Sequence, residues 1–304
     1  QVWDDPSRLL DVDTYRLGPY PFGTDTLGRD VFSRVILGTS SIFGVAGFGT
    51  LIAVVIGTVL GLLTGYRGGL VDELMGRVPF SHVAYLVLMG ELPSESQGRV
   101  MDAILVSSVD HGSTPPSALA ARTVASGGAP LTAGIAAGVM TINRHHGGAI
   151  EGCMQLLREA VARKLSDGQD SLTVARAVAA EYRARKARVP GFGHRIHTDD
   201  PRAARLFAIA QEEGVAGTHV EMAQALAQTL AESLGKPLPI NVDGAIAAVL
   251  CDMGFPPEMG NGVFAIARTV GLTAHVFDEI TQQRPMRVIS PTAQEYSGPP
   301  ERTL

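Results

Sequence analysis

The sequence predicts an all-α fold over residues 71–304, preceded by one apolar, transmembrane-like helix at about residues 38–65. Apolar residues of the later part recur at helical spacing, between residues that begin and end helices. Segments that alternate apolar and polar residues, as half-buried strands do, are nearly absent there. The earlier part differs because no charged residue occurs from Gly38 to Gly65. The chain therefore divides into a segment at 1–70 and a helical domain at 71–304.

The apolar run is long enough to cross a lipid bilayer, which takes about 20 residues. Arg34 and Arg67 bracket the run, and its spaced glycines suit close helix packing in lipid. A buried helix of a soluble protein is the alternative interpretation, but such a helix is rarely uncharged over this length. We therefore expect residues 38–65 to contact a membrane and the domain after residue 70 to lie in the cytoplasm.

Helix ends can be placed from individual residues in the later part of the chain. Asp200 and Pro201 read as an N-cap followed by a first-turn proline, and Gly214 is a stop signal. The apolar stretch 131–142 is too short to span a membrane, and it is interpreted as a buried helix of a soluble protein. Further helices are predicted at 171–185, 222–234 and 243–252.

The composition excludes several classes of function. The formal net charge of −5 gives no basic surface for nucleic acid. The two cysteines, Cys153 and Cys251, show no Cys-X-X-Cys spacing, so neither a disulfide framework nor a thiolate metal site is expected. The histidine spacings match no standard zinc pattern, and we expect no metal.

Three histidines beside glycines, together with one aspartate, form the candidate catalytic set. His111 lies in Asp-His-Gly, His146 in His-His-Gly-Gly, and His194 in Gly-Phe-Gly-His-Arg. Asp243, in Asn-Val-Asp-Gly, can act in catalysis or serve as the N-cap of the helix that follows. Glycine lets the backbone turn tightly and lets a substrate approach the imidazole, so the set points to carbon–carbon bond chemistry. The remaining histidines are interpreted as structural or solvent-facing: His82, His145, His197, His219 and His275.

Two motifs flank the apolar run. One begins at Pro21 with Pro-Phe-Gly-Thr-Asp-Thr-Leu-Gly-Arg-Asp, and the other is Gly-Tyr-Arg-Gly-Gly from Gly65. With the run between them, they resemble the inner-membrane permease subunit of dipeptide and oligopeptide ABC transporters. Such permeases need several spans and a cytoplasmic coupling loop, and neither is found after Gly69. Residues 1–70 are therefore interpreted as a permease-like fragment.

From about Asp72 onward, the chain resembles the citrate synthase superfamily, and particularly its short citryl-CoA lyase-like members. The resemblance implies a helical fold with a large and a small domain, the small one at about residues 150–250, and a homodimer. The motifs that carry it agree in order and spacing: Gly-Glu-Leu-Pro at Gly90, Asp-His-Gly at Asp110, His-Gly-Gly-Ala at His146, Gly-Phe-Gly-His-Arg at Gly191, Asp-Asp-Pro-Arg-Ala at Asp199 and Asn-Val-Asp at Asn241.

The resemblance assigns roles to the candidate catalytic set. His111 is similar to the histidine that helps to hold oxaloacetate, and His194 to the histidine on the oxaloacetate carbonyl. His146 is similar to the histidine that hydrogen-bonds the thioester oxygen as the enol forms, and Asp243 to the aspartate that moves the methyl proton. The chemistry needs such a pair, because a carboxylate can deprotonate an acetyl thioester only if a donor stabilises the enolate oxygen.

The resemblance also places arginines, whose guanidinium groups match carboxylates in geometry. Arg202 and Arg268 match arginines that bind the dicarboxylate. Near the C-terminus, Ser290 stands where citrate synthases carry an arginine before a proline, and Arg287 is the neighbouring candidate for that carboxylate. Thr198 stands near the position of a lysine implicated in holding CoA. These departures argue against ordinary condensation to citrate.

The expected function is cleavage of citryl-CoA to acetyl-CoA and oxaloacetate, with the CoA thioester as substrate and no permanently bound cofactor. One alternative is condensation of acetyl-CoA with oxaloacetate or a related keto acid. Two others are a permease component of a peptide ABC transporter and a non-catalytic protein that binds CoA esters. The permease family and the citrate synthase superfamily have similar short sequences at the position of residues 66–78. The chain is therefore interpreted as a chimera.

Overall fold

The computed structural model describes residues 71–143, 146–193 and 200–290. Over these ranges the chain forms helices and no strand beyond isolated bridges, which confirms the all-α prediction there. The predicted apolar helix at 38–65 and its expected membrane contact lie outside the described residues. Within the three described ranges, no helix is both long and apolar enough to span a membrane.

Eleven helices follow one another in the described residues. They are α1 (Val71–Leu74), α2 (Phe80–Met89), α3 (Glu95–Ser108), α4 (Pro116–Ser126), α5 (Leu131–Met140), α6 (Ala149–Asp167), α7 (Ser171–Ala184), α8 (Pro201–Glu212), α9 (Thr218–Leu234), α10 (Val242–Asp252) and α11 (Pro257–Gln282).

The core forms around α10, whose sequence has no charge between Asp243 and Asp252. Its residues from Gly244 to Cys251 are all buried, as expected for a helix that is apolar on every side. Helices α6, α8 and α9 pack around it. The first turn of α10 also approaches another backbone closely, since a Cβ atom on Gly244 would collide with the carbonyl oxygen of Gly191. The core therefore fixes α10, and with it the residues at its N-terminus.

Helices α4, α5 and α11 form a second, smaller apolar cluster. The helix expected at 131–142 is present as α5, but the expectation that it is buried is wrong for this chain. Only Gly134 and Gly138 are buried, against Val276 and Leu272 of α11, while the Met140 side chain is 80% exposed. The helix packs its small residues against α11 and α4, its residues Leu131, Ile135 and Val139 are partly buried in the same cluster, and Met140 is left exposed.

Most other helix ends lie within one or two residues of their predicted positions. Helix α9 is different, because it begins at Thr218 rather than at residue 222. Its first turn has no local capping side chain, and Asp252 at the end of α10 accepts hydrogen bonds from the N–H groups of Gly217, His219 and Val220 instead. A cap supplied from a distant part of the chain leaves no local pattern in the sequence.

A buried carboxylate joins α11 to α4 and to the C-terminal segment. Glu279 is 3% exposed and accepts a hydrogen bond from Nε of Arg122 at 3.0 Å. Its two oxygens also accept from Nε and Nη2 of Arg287, at 2.8 and 2.6 Å. One carboxylate thus pairs with two partly buried guanidinium groups.

We expect Glu279→Ala to lower the free energy of unfolding by about 3 kcal/mol, because removing one member of a buried ion pair leaves desolvated charges without a partner. Urea unfolding followed by circular dichroism measures the loss. Glu213→Ala is the control, since Glu213 pairs with the exposed Arg99 and its removal should have a small effect. Equal losses in the two variants would contradict the assignment.

Candidate active site

The N-terminus of α10 carries Asp243. The N-cap of this helix is Asn241, whose Oδ1 accepts from the N–H of Gly244 at 3.0 Å, so Asp243 is not the cap. Asn241 also donates from Nδ2 to the carbonyl oxygen of Gly193 at 2.9 Å. The backbone N–H of Gly193 donates to the carbonyl oxygen of Pro239 at 2.7 Å. These bonds fix Asp243 next to the segment that leads to His194.

Burial raises the pKa of the Asp243 carboxyl to about 6. The positive charges of Arg202 and Arg268 act in the opposite direction, while the negative charge of Asp200 adds to the rise. A position in the first turn of a helix also favours the ionised form, so desolvation outweighs several stabilising charges. A carboxyl with a pKa near 6 can both accept and return a proton near neutral pH.

Arg202 is held by Asp200, which is fully buried. Asp200 caps α8 by accepting from the N–H of Arg202, and it binds Nε and Nη2 of the same residue at 3.0 and 2.9 Å. It also accepts from the N–H of Val242, the first residue of α10, at 3.0 Å. Burial alone would raise the pKa of Asp200, but these hydrogen bonds and the Arg202 charge hold it below its usual range. One carboxylate therefore aligns two helix N-termini and one guanidinium.

His146 follows the loop after α5. Its Nε2 lies 2.8 Å from Oγ of Ser117 in α4, and its ring stands edge-on to Phe264 of α11, with 6.4 Å between ring centroids. The Phe264 ring also lies under the guanidinium of Arg268, with Cζ at 4.7 Å from the ring centroid. Phe264 is buried and contacts both groups, so it sets the position of His146 relative to Arg268.

Arg268 is 4% exposed, and its Nε donates to the carbonyl oxygen of Ser108 at 3.0 Å. Burial lowers the pKa of its guanidinium, while the charges of Asp110 and Asp243 oppose that shift. Within the described part of the chain, no carboxylate forms an ion pair with it. A buried cation of this kind is suited to an anionic ligand.

The structure brings together most, but not all, of the residues expected from the sequence. Asp243, Arg202 and Arg268 influence one another electrostatically, and Phe264 connects His146 to the same group. His194 and Thr198 lie outside the described residues. His111 is exposed, in the turn that follows α3.

Arg287 is not part of this group. It binds Glu279, which follows Arg268 by 11 residues on the same helix, or about 16 Å along the helix axis. The sequence did not reveal the contacts of Ser117 and Phe264 with His146, nor that Asp200 binds the first N–H of α10 as well as capping α8. Only Phe264 had a local signal, since it lies one helical turn before Arg268.

The raised pKa of Asp243 predicts that stability depends on pH. The folded protein binds this proton more tightly than the unfolded chain does, so the free energy of unfolding falls as pH rises from the ordinary value of 3.8 to about 6. Asp243→Asn removes that loss. We expect the variant to exceed the parent by about 3 kcal/mol well above pH 6 and to be close to it near pH 4.

Urea unfolding of both proteins at several pH values measures the difference. A variant that is less stable than the parent at every pH would contradict the desolvation of Asp243.

Comparison with known proteins places the chain in a family. A family profile described as "Citrate synthase, C-terminal domain" matches residues 95–291. Citrate/2-methylcitrate synthase of Bacillus subtilis (strain 168) is 32% identical over 223 residues, which cover 71% of this chain and 56% of that protein. The chain spans about half the length of the curated relatives it matches.

Solved structures share the fold. Citryl-CoA lyase from Hydrogenobacter thermophilus has a TM-score of 0.67 and 41% identity, over 78% of this chain and 91% of that chain. Citrate synthase from Thermotoga maritima MSB8 has a TM-score of 0.57 and 26% identity, over 74% of this chain and 59% of that chain. The permease resemblance of residues 1–70 stays a prediction, since these residues lie outside those that the family profile matches. The helical domain, its site and these relatives agree: the chain belongs to the citrate synthase family.

Proposed function

We propose that the chain cleaves citryl-CoA to acetyl-CoA and oxaloacetate. The observation that carries this proposal is the Asp243 carboxyl, whose pKa burial raises to about 6 even though the charges of Arg202 and Arg268 lower it. The site thus combines an acid–base group that titrates near neutral pH with cations for a dicarboxylate. The likeness to a citryl-CoA lyase over 91% of that protein supports the same reaction.

In the proposed mechanism, His194 takes the proton of the tertiary hydroxyl. The adjacent carbon–carbon bond then breaks, its electron pair forms the enolate of acetyl-CoA, and the alkoxide carbon becomes the ketone of oxaloacetate. Asp243, entering as the acid, gives its proton to the enolate carbon, which becomes the methyl group. Each bond that breaks is balanced by one that forms, and no water is consumed.

The enolate oxygen needs a hydrogen-bond donor, which we assign to His146. Its Nε2 lies 2.8 Å from the Ser117 hydroxyl. When that hydroxyl donates to Nε2, the ring proton is on Nδ1, which then donates to the thioester oxygen. Phe264 limits rotation of the ring, so the donor is aligned before the charge develops.

The dicarboxylate is assigned to Arg202, Arg268 and His111. Two N–H groups of Arg202 are used by Asp200, and a guanidinium has five, so Arg202 can bind Asp200 and a substrate carboxylate at once. Arg268 offers a second, more deeply buried cation. We propose that a small domain at about residues 150–250 closes over CoA and excludes water from the thioester.

We propose that the working form is a homodimer, as the family resemblance implies. Exposed apolar side chains occur on both α5 and α11, with Met140, Val270 and Phe277 each more than half exposed. Helix α5 has no charged residue. An apolar surface of this kind fits a second copy of the chain.

The second candidate function is condensation of acetyl-CoA with oxaloacetate or a related keto acid. It is favoured by the name of the Bacillus subtilis relative, which is 32% identical. The two functions use the same groups, but Asp243 begins condensation as a base and begins cleavage as an acid.

Asp243→Ala should reduce citryl-CoA cleavage by about 10²–10⁴-fold, the usual contribution of a positioned acid or base. Oxaloacetate release from citryl-CoA measures the rate. Asp102→Ala is the control, because Asp102 is an exposed carboxylate on α3. Absence of turnover in the parent protein, or equal rates in the parent and Asp243→Ala, would contradict the proposed reaction.

The pKa of Asp243 predicts how the cleavage rate depends on pH. With a pKa of about 6, the acid form of Asp243 is depleted as pH rises, so the cleavage rate should fall above pH 6. Turnover of saturating citryl-CoA, measured from about pH 5 to pH 8, tests this, and a rate that does not fall above pH 6 would exclude Asp243 as the acid.

A further inference from the structure

We infer that His275 is a positioning residue for substrate binding: it holds Asp110, and through Asp110 the turn that presents His111 to the dicarboxylate. The inference rests on the proposed function, since it takes His111 and Arg268 as ligands of oxaloacetate. From the sequence, His275 was interpreted as structural or solvent-facing.

Three residues on one face of α11 hold residues 108–110. Arg268 donates from Nε to the carbonyl oxygen of Ser108, and His275 Nε2 lies 2.9 Å from Oδ1 of Asp110. Between them, the helix backbone at Gly271 lies so close that a Cβ atom there would be 2.5 Å from the carbonyl oxygen of Val109. Positions 268, 271 and 275 share a helix face, so the three contacts fix the loop in one register along α11.

Asp110 passes this constraint to His111. Its Oδ2 accepts from the N–H of Gly112 at 3.0 Å, closing a turn around His111, and the N–H of His111 also interacts with the carboxylate. Burial would raise the pKa of Asp110, but the bonds from His275 and from the turn hold it well below its usual range. The carboxylate therefore stays charged, and both of its oxygens remain available as hydrogen-bond acceptors. Because His111 follows Asp110 directly in this turn, a shift of Asp110 also moves the backbone of His111.

The same helix carries Arg268, two turns before His275. Arg268 responds to the charges of both Asp110 and Asp243, so the turn and the site share one electrostatic environment. Losing the bond from His275 would release Asp110 and let His111 shift relative to Arg268. The expected consequence is weaker binding of the dicarboxylate, with CoA binding unchanged.

The chain offers a matched control for a merely structural role. His219 forms the same kind of pair with Asp252, at 2.7 Å, and both histidine side chains are 19% exposed. The His219 pair stabilises the start of α9 at the opposite end of α10 from Asp243. Its loss should affect stability without affecting the site.

Calorimetric titration of the purified full chain with oxaloacetate, and separately with CoA, tests the inference. We expect His275→Ala to weaken oxaloacetate binding about tenfold, the usual effect of losing a hydrogen bond to a charged group. CoA binding should stay within about twofold. His275→Gln keeps an N–H donor near the Nε2 position and should recover most of the lost affinity. His219→Ala should leave both affinities unchanged.

Several outcomes would overturn the inference. These are unchanged oxaloacetate affinity in His275→Ala, equal weakening of both ligands, the same weakening in His219→Ala, or no recovery in His275→Gln. Each of these can occur while the parent protein binds oxaloacetate and cleaves citryl-CoA, so the proposed function would stand. If the parent bound no oxaloacetate at all, the proposed function would fail together with this inference.

Discussion

The buried carboxylate of Asp200 is the interaction on which the rest of the site depends. It accepts four hydrogen bonds, from the backbone and side chain of Arg202 and from the first N–H of α10. A buried charge is stable only when its acceptors are satisfied, so the N-termini of α8 and α10 must meet at this point. Arg202 and Asp243 thereby enter the same small volume, one as a guanidinium that is already oriented and the other as a desolvated carboxyl.

Helix α11 organises the other half of the site. Phe264 lies between His146 and Arg268, and the same helix continues to His275, which binds Asp110. Arg268 links the two halves, because the charges of Asp110 and Asp243 both raise its pKa. The candidate acid–base carboxyl on α10 and the buried cation of Arg268 on α11 are therefore held by helices, while His146 lies in a loop and is placed by its contact with Phe264 of α11.

Local patterns predicted much of the fold. The start of α8 at Asp200-Pro201 could be predicted, and so could the apolar body of α10, because the residues that determine each lie next to one another in the sequence. The start of α9 could not, since its cap is Asp252. Among the candidate site residues that the structure describes, His111, His146, Asp243, Arg202 and Arg268 were proposed from motifs and from the resemblance those motifs carry. The partners that orient them were not, because Ser117 lies 29 residues from His146, and Asp110 lies 165 residues from His275. Contacts across such separations depend on packing, which a single sequence does not display.

The contact between Gly191 and Gly244 has a mechanical consequence. Two backbones that touch without side chains have no rotamers through which to absorb strain, so the contact cannot yield gradually. The segment ending at Gly193 and the first turn of α10 therefore either move as one rigid body or separate completely. A displacement of residues 191–193 therefore also displaces Asp243. As long as the contact between Gly191 and Gly244 is kept, the distance between that segment and Asp243 does not change.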